Sequence, residues 1–227
     1  METNNDKLGF MSRVSDYIFN PSKFFEYSKE KSKSFLAIIF VVITSAILQS
    51  TTLAISSGDA SIVKELGKDG SAVLNKLSKI YGLFIGGVGS LFSILLVSLI
   101  FLACVKFILN GNLKYKNILS VYSYSLIPTA LLNITYIIVY KCTNSIDSDL
   151  FSIIIKKVNP LTIWGIVILI IGTSVVANVS IKKSAILFIV ITFISIGMTI
   201  ATYLIASGIT DIETEMAIQN ATFSLIS

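Results

Sequence analysis

Few residues in this sequence could carry chemistry, and their types exclude most kinds of active site. The 227 residues include two cysteines and no histidine, which removes the usual zinc and haem sites, Ser–His or Cys–His catalysis and the commonest proton relay. Cys104 and Cys142 are too few for a disulfide framework, and no glycine-rich phosphate-binding loop is present. We therefore predict that the protein is not an enzyme and has no catalytic, cofactor or metal site.

Polar side chains are concentrated in one otherwise apolar stretch, residues 117–140. It contains a proline and several polar groups, among them Tyr122, Tyr124, Ser125, Pro128 and Asn133. Pro128 has no N–H to donate to the carbonyl of Tyr124, so we expect a helix here to kink, with nearby hydroxyls satisfying the freed carbonyl. Because lipid penalises such polarity, this helix is predicted to lie in a bundle interior. A purely structural kink and a helix that lines a pathway are both compatible with the pattern.

The secondary structure that positions these residues can be predicted from the composition of the chain. Hydrophobic residues make up 54% of the chain and charged residues 14%, whereas a soluble domain carries ~25% charged residues. Five windows lack any charged residue and exceed the ~20 residues that cross a bilayer as a helix: Ser34–Gly58, Ile80–Val105, Asn117–Tyr140, Val158–Ile181 and Ser184–Thr210. The pattern excludes a soluble globular enzyme and predicts an all-α integral membrane protein with a bundle of five transmembrane helices.

The charges between these windows predict an orientation. Of 18 basic residues, six lie in 1–33, three in 106–116 and two in 182–183, which share one side of a five-span protein. By the positive-inside rule that side is cytoplasmic, so the N-terminus is predicted in the cytoplasm and the C-terminus outside. We accordingly divide the chain into a cytoplasmic segment 1–33, a transmembrane domain 34–210 and an acidic outer tail 211–227. No basic stripe is interleaved with stacking aromatics, so no nucleic-acid partner is expected.

The N-terminal segment contains two features that favour a membrane surface. Apolar residues recur at helical spacing and predict a short amphipathic helix: Leu8, Met11, Val14, Tyr17 and Ile18. A helix packed under the bundle's own loops is the equal alternative. Asn20 suits a helix N-cap and Pro21 the first helical position, and Phe24 and Phe25 are predicted to anchor the following helix at the depth of the lipid headgroups.

Two pairs of glycines indicate close contacts between helices. Gly82 and Gly86 stand four residues apart, and Gly165 and Gly172 stand seven apart, so each pair lies on one helix face. Packing within the chain is the simpler interpretation, and contact with a partner or a second copy is the alternative.

Three stretches resemble a known family of membrane proteins. These are Tyr17-Ile-Phe-Asn-Pro-Ser-Lys-Phe-Phe-Glu26, the segment from Gly111 to Thr129 with its basic turn and mid-span proline, and Trp164 to Lys183 with its Ser-Ile-Lys-Lys end. Together they resemble the Yip-domain family, named for Ypt/Rab-interacting proteins, over about Tyr17 to Ala206. The resemblance implies five helices, a cytoplasmic N-terminus and no active-site residues. Eukaryotic relatives act in Golgi and endoplasmic-reticulum trafficking, whereas this chain is more similar to the bacterial branch.

Two functions from different classes follow. Some bacterial relatives accompany ABC-type exporters that protect against antimicrobial peptides. The resemblance therefore implies a non-catalytic accessory or assembly subunit in the bacterial plasma membrane. Its expected partners are the lipid bilayer and another membrane protein, an ABC permease with its ATPase. The alternative is a stand-alone facilitator, channel or lipid-handling protein with a groove lined by Tyr122, Ser125 and Asn133. The windows contain no ionisable residue of the kind that coupled transporters usually need.

Overall fold

The computed structural model describes residues 10–30, 34–57, 60–143, 154 and 158–226, and within these ranges the chain forms helices and no β-strand. The helices are α1 (Phe10–Phe19), α2 (Pro21–Glu30), α3 (Phe35–Ser56), α4 (Ala60–Phe107), α5 (Tyr115–Ser125), α6 (Ile127–Thr143), α7 (Pro160–Ala177) and α8 (Ile181–Ile226). Residues 1–9 and 31–33 of the predicted N-terminal segment lie outside the described ranges.

Five helical segments in the described ranges are long and apolar enough to cross a membrane: Phe35–Ser56, Asp69–Phe107, Tyr115–Thr143, Pro160–Ala177 and Ile181–Ala206. Each overlaps one charge-free window of the sequence. The prediction of an all-α protein with five transmembrane helices is therefore confirmed.

Two helices extend beyond their apolar windows. α4 begins at Ala60 and contains a break at Gly67, whose φ of 70° and ψ of 175° lie outside the helical region and suit a residue without a Cβ. The segment that precedes the second window is thus mostly helical. α8 likewise continues to Ile226, so the boundary that the sequence placed after Thr210 is not a helix end.

The core lies around α5, which packs against α4 and α7, while α2 packs on α7 and α3 packs along α4 and α6. The main cluster of buried side chains joins α2, α4, α5, α7 and α8: Phe25, Phe101, Val105, Ile118, Val121, Ile168 and Phe188. A smaller cluster of Val41, Ile94 and Ala130 joins α3, α4 and α6. Within this packing the α5 serines Ser120, Ser123 and Ser125 are buried, and Tyr122 and Tyr124 are partly buried.

Two connections between helices lie together at one end of the bundle, and one of them contacts α2. Asn178 ends α7 in the left-handed conformation, with φ of 54°, and its side-chain oxygen accepts a hydrogen bond from the Lys29 ammonium of α2 at 3.2 Å. The turn between α4 and α5 lies beside it, because a Cβ on Gly111 would be 3.1 Å from the Cβ of Ala177. The opposite end of the bundle holds the C-terminal ends of α3 and α6.

Candidate functional site at the N-terminal helices

A sharp corner joins α1 to α2. The N–H of Asn20 donates to the carbonyl of Asp16 at 2.8 Å, which closes the last turn of α1. The Asn20 side-chain oxygen then accepts from the N–H of Lys23 at 3.3 Å, as an N-cap does, and Pro21 is buried at the first position of α2. The helix start that the sequence predicted at Asn20 and Pro21 is therefore formed.

Side chains from α1 also hold α2 in place. The Arg13 guanidinium donates to the Tyr27 hydroxyl at 3.0 Å and lies 5.0 Å from the centre of that ring. Lys23 and Asp16 form an ion pair of 3.2 Å whose lysine is exposed, and exposed pairs contribute little to stability. The partly buried Arg13 contact is therefore the more important of the two.

Phe25 lies inside the bundle, which differs from the anchoring at the membrane surface that the sequence predicted. Its side chain is 0% exposed and belongs to the main core cluster. A Cβ on Gly172 would lie 2.8 Å from the Phe25 ring and 2.7 Å from Val121, so the missing side chain of that glycine makes room for the phenylalanine. Phe24 is only partly buried, and its ring packs edge-on against the Tyr124 ring, with centroids 4.9 Å apart.

The third membrane segment is interrupted next to this contact. α5 ends at Ser125 and α6 begins at Ile127, with Pro128 buried in the first turn of α6. Pro128 cannot supply the N–H that would bond to the carbonyl of Tyr124 in an unbroken helix. The hydroxyl of Tyr17, on α1, donates to that carbonyl at 2.9 Å. A residue 107 positions away therefore replaces the backbone donor that proline removes.

The two serine hydroxyls of α5 closest to the interruption bond elsewhere, which differs from the expectation that nearby hydroxyls would satisfy the freed carbonyl. Ser123 donates to the carbonyl of Leu119 at 2.6 Å, and Ser125 donates to the carbonyl of Tyr122 at 2.7 Å. Each reaches back three or four residues, the usual geometry for serine within a helix. The carbonyl at Tyr124 is thus reached by the N-terminal helix.

Gly165 of α7 makes the other close approach to the interruption. A Cβ at this position would lie 2.6 Å from the carbonyl oxygen of Ser125. Since that obstacle is backbone, no side-chain movement can relieve it. We call the assembly of Tyr17, Phe24 and Phe25 with Tyr124 and the two α7 glycines, Gly165 and Gly172, the N-terminal docking site.

Other predicted residues lie outside this site. The Tyr122 ring packs edge-on against Phe101, with centroids 5.1 Å apart. Asn133 lines a separate groove of about 400 Å³ between α3, α4 and α6, together with Ser45, Gln49, Ser90 and Ser93 among others. The structure therefore does not bring Tyr122, Ser125 and Asn133 together into one groove.

The first glycine pair packs two helices of the chain against each other. A Cβ on Gly82 would lie 2.5 Å from the Cα of Ser50, and a Cβ on Gly86 would lie 2.8 Å from the Cα of Ala46. Both obstacles belong to the backbone of α3. This face of α4 is thus occupied within the chain, which supports the simpler interpretation.

Tyr17 is the residue whose role the sequence did not indicate. The pattern grouped it with the apolar face of α1, although it is the one residue of that group with a hydroxyl. Burial, with a smaller effect of Tyr124, raises the pKa of the Tyr17 hydroxyl well above its ordinary value. The group therefore keeps its proton and remains a hydrogen-bond donor at neutral pH.

The docking site consists of aromatic rings, hydroxyls, backbone carbonyls and glycines, which pack and form hydrogen bonds and do not form a nucleophile–base arrangement. The fold and the site together define a multi-pass helical membrane protein whose N-terminal helices are fastened to an interrupted span. A model of the Yip1 domain matches residues 15–204, and the chain belongs to the Yip1 domain family. The matched range includes Tyr17 and all of α2 to α7. Searches of curated proteins and of solved structures found no match.

The family assignment confirms the resemblance seen in the sequence and makes the chain an integral membrane protein. Yip1 domain proteins are known as non-catalytic membrane proteins and are associated with trafficking-related roles.

Proposed function

We propose that the protein is a non-catalytic accessory or assembly subunit that binds another membrane protein through its N-terminal helices. In the proposed topology these helices are cytoplasmic and the C-terminus is outside. The observation that carries the proposal is the division of α1 into two faces. Tyr17 and Arg13 are partly buried against the protein, whereas the side chains of Met11 and Phe19 are 78% and 83% exposed.

The exposed face of α1 is mostly apolar, with Val14 and Ile18 at 37% and 43% exposure and Ser15 as its exposed polar residue. Apolar side chains on a surface helix bind a membrane interface or the apolar face of another protein. Because Tyr17 connects the same helix to the interrupted span, partner binding that moves α1 would also act on the bundle core. An accessory subunit requires such a connection between an outward-facing surface and its transmembrane part.

The partner to test first is an ABC-type exporter in a bacterial plasma membrane, because the sequence resembles the bacterial branch, in which some members accompany such exporters. Purification of the full-length protein under mild detergent is expected to recover a permease and its ATPase. Phe19→Ser should abolish this recovery. Phe107→Ser is the matched control, since Phe107 is 84% exposed at the same end of the bundle. Recovery of the chain alone under mild conditions, or equal recovery with both variants, would contradict the proposal.

A second candidate function is a facilitator or lipid-handling protein, favoured by the groove that Asn133 lines. Asn133, Gln49 and three serines place polar atoms beside a cavity of about 400 Å³ within the membrane-spanning part, where polar groups are costly unless they serve a purpose. Liposomes that contain only this chain would then show solute flux or lipid transfer, and Asn133→Leu would abolish it. Absence of flux with the unaltered protein would exclude this function.

A further inference from the structure

A second cavity lies at the end of the bundle opposite the N-terminal helices. It measures about 370 Å³ and opens between α3, α4 and α6. Polar residues line one part of it and apolar residues the rest: Ser50, Thr51, Asn75, Lys79 and Lys141, with Ile47, Ala54, Ile55 and Leu83. It shares no residue with the docking site or with the groove at Asn133.

The charge of the cavity is positive. Lys79 and Lys141 are its charged residues, and no aspartate or glutamate is among the described residues that line it. Neither lysine forms an ion pair within the described part of the chain. Lys79 directly precedes the charge-free window Ile80–Val105 and Lys141 directly follows the window Asn117–Tyr140. Both ammonium groups therefore belong at the depth where lipid headgroups meet the hydrocarbon.

The neutral polar groups of the cavity present acceptors. Ser50 donates its hydroxyl hydrogen to the carbonyl of Lys79 at 2.9 Å, and Thr51 donates to the carbonyl of Ile47 at 2.9 Å. The Asn75 amide nitrogen donates to the carbonyl of Ala54 at 3.0 Å. These bonds use donor hydrogens only, so the two hydroxyl oxygens and the Asn75 carbonyl oxygen keep the capacity to accept hydrogen bonds from a ligand. A matching ligand carries a negative charge for the lysines and hydroxyl donors for these oxygens.

The apolar side of the cavity continues along the outside of the bundle. Leu83 is 47% exposed, and Ile80 and Phe84 beside it are 59% and 64% exposed. The acyl chain of a lipid can lie along this surface while the charged headgroup of the same lipid is bound at the end of the span. The cavity therefore has one place for an anionic headgroup and one for hydrocarbon.

We propose that this cavity binds an anionic glycerophospholipid with a hydroxylated headgroup, of the phosphatidylglycerol class. Lys79 and Lys141 bind the phosphate, Ser50, Thr51 and Asn75 accept hydrogen bonds from the headgroup hydroxyls, and the acyl chains lie along Leu83. Occupancy of the site at this end of the bundle would then depend on the lipid composition of one leaflet. It stands apart from the proposed partner surface on α1, so either proposal can fail without the other.

The test uses the full-length protein in nanodiscs of phosphatidylcholine with increasing phosphatidylglycerol, and measures retained lipid by native mass spectrometry. We expect Lys79→Gln/Lys141→Gln to weaken phosphatidylglycerol binding about thirtyfold, and each single variant about fivefold, which corresponds to about 1 kcal/mol for each lysine. Lys76→Gln/Lys106→Gln removes the same charge from two exposed lysines that do not line the cavity and should bind normally.

Three outcomes would overturn the proposal. The first is equal retention of phosphatidylglycerol by the two double variants. The second is displacement of the lipid by millimolar inorganic phosphate, which would identify a free anion as the ligand. The third is an equal loss of thermal stability in pure phosphatidylcholine and in phosphatidylglycerol, which would show that the lysines stabilise the fold without binding the lipid. Should the double variant fail to fold, the single variants and Lys79→Arg, which keeps the charge and should keep the binding, decide the question.

Discussion

The hydrogen bond from Tyr17 to the carbonyl of Tyr124 allows a direct test of how the interrupted span is stabilised. Tyr17→Phe removes the hydroxyl and little else. The bond is 2.9 Å long and partly buried, and loss of a buried donor–acceptor pair costs about 1–3 kcal/mol when the acceptor finds no replacement. We expect unfolding in mild detergent to become easier by that amount.

Pro128→Ala supplies the second half of the experiment because it restores a backbone N–H that can bond to the same carbonyl. On its own this substitution is expected to lower stability, since one restored hydrogen bond does not offset repacking around a buried proline. In its background, however, Tyr17→Phe should cost only about 0.5 kcal/mol, because the backbone replaces the hydroxyl. The coupling energy in this double-mutant cycle is then about 0.5–2.5 kcal/mol.

The measurement is the unfolding midpoint of the four proteins by heat or by denaturing detergent. Tyr81→Phe serves as the control, since Tyr81 is 61% exposed and should show no loss in either background. If Tyr17→Phe costs the same with and without Pro128→Ala, the hydroxyl does not replace the missing amide and the interpretation of the docking site is wrong. A raised melting temperature for Pro128→Ala with partner binding intact would refute a central role for the interruption.

Three further predictions follow. Gly165→Ala should destabilise by about 1–3 kcal/mol, because its Cβ would meet a carbonyl at 2.6 Å, whereas Gly197→Ala, which meets nothing within 4 Å, should be neutral or stabilising in the same unfolding assay. In intact cells a membrane-impermeant maleimide should label the exposed native Cys142 and should leave Asn112→Cys unlabelled, and the reverse pattern would invert the proposed topology. Above about pH 10, where an ordinary tyrosine ionises, the raised pKa of Tyr17 means that the unfolded state loses a proton which the folded state keeps. The contribution of the Tyr17 hydroxyl to the free energy of unfolding is therefore complete below that pH and falls above it. The difference in stability between the unaltered protein and Tyr17→Phe should be smaller at pH 11 than at pH 9.

Some of this protein was determined by its sequence alone. A charge-free window longer than a bilayer is thick must become a transmembrane helix, because every backbone polar group in lipid has to be satisfied within the segment. That is a local condition, and it predicted all five spans. The absence of histidine and the proline in the third span are likewise local facts, and the interruption between α5 and α6 follows from the missing N–H of Pro128.

The tertiary structure decided where these helices meet. Phe24 and Phe25 are adjacent and chemically alike, yet Phe25 is fully buried while Phe24 is not. The Phe25 ring lies against Gly172 of α7, where a side chain would collide with it. Asn133 shares the third span with Tyr122, but Asn133 lines a groove while the Tyr122 ring packs against Phe101. The donor to the Tyr124 carbonyl comes from a residue 107 positions earlier. Periodicity specifies the face of a helix and its membrane depth, whereas the partner of that face depends on how separate helices pack, which no local pattern contains.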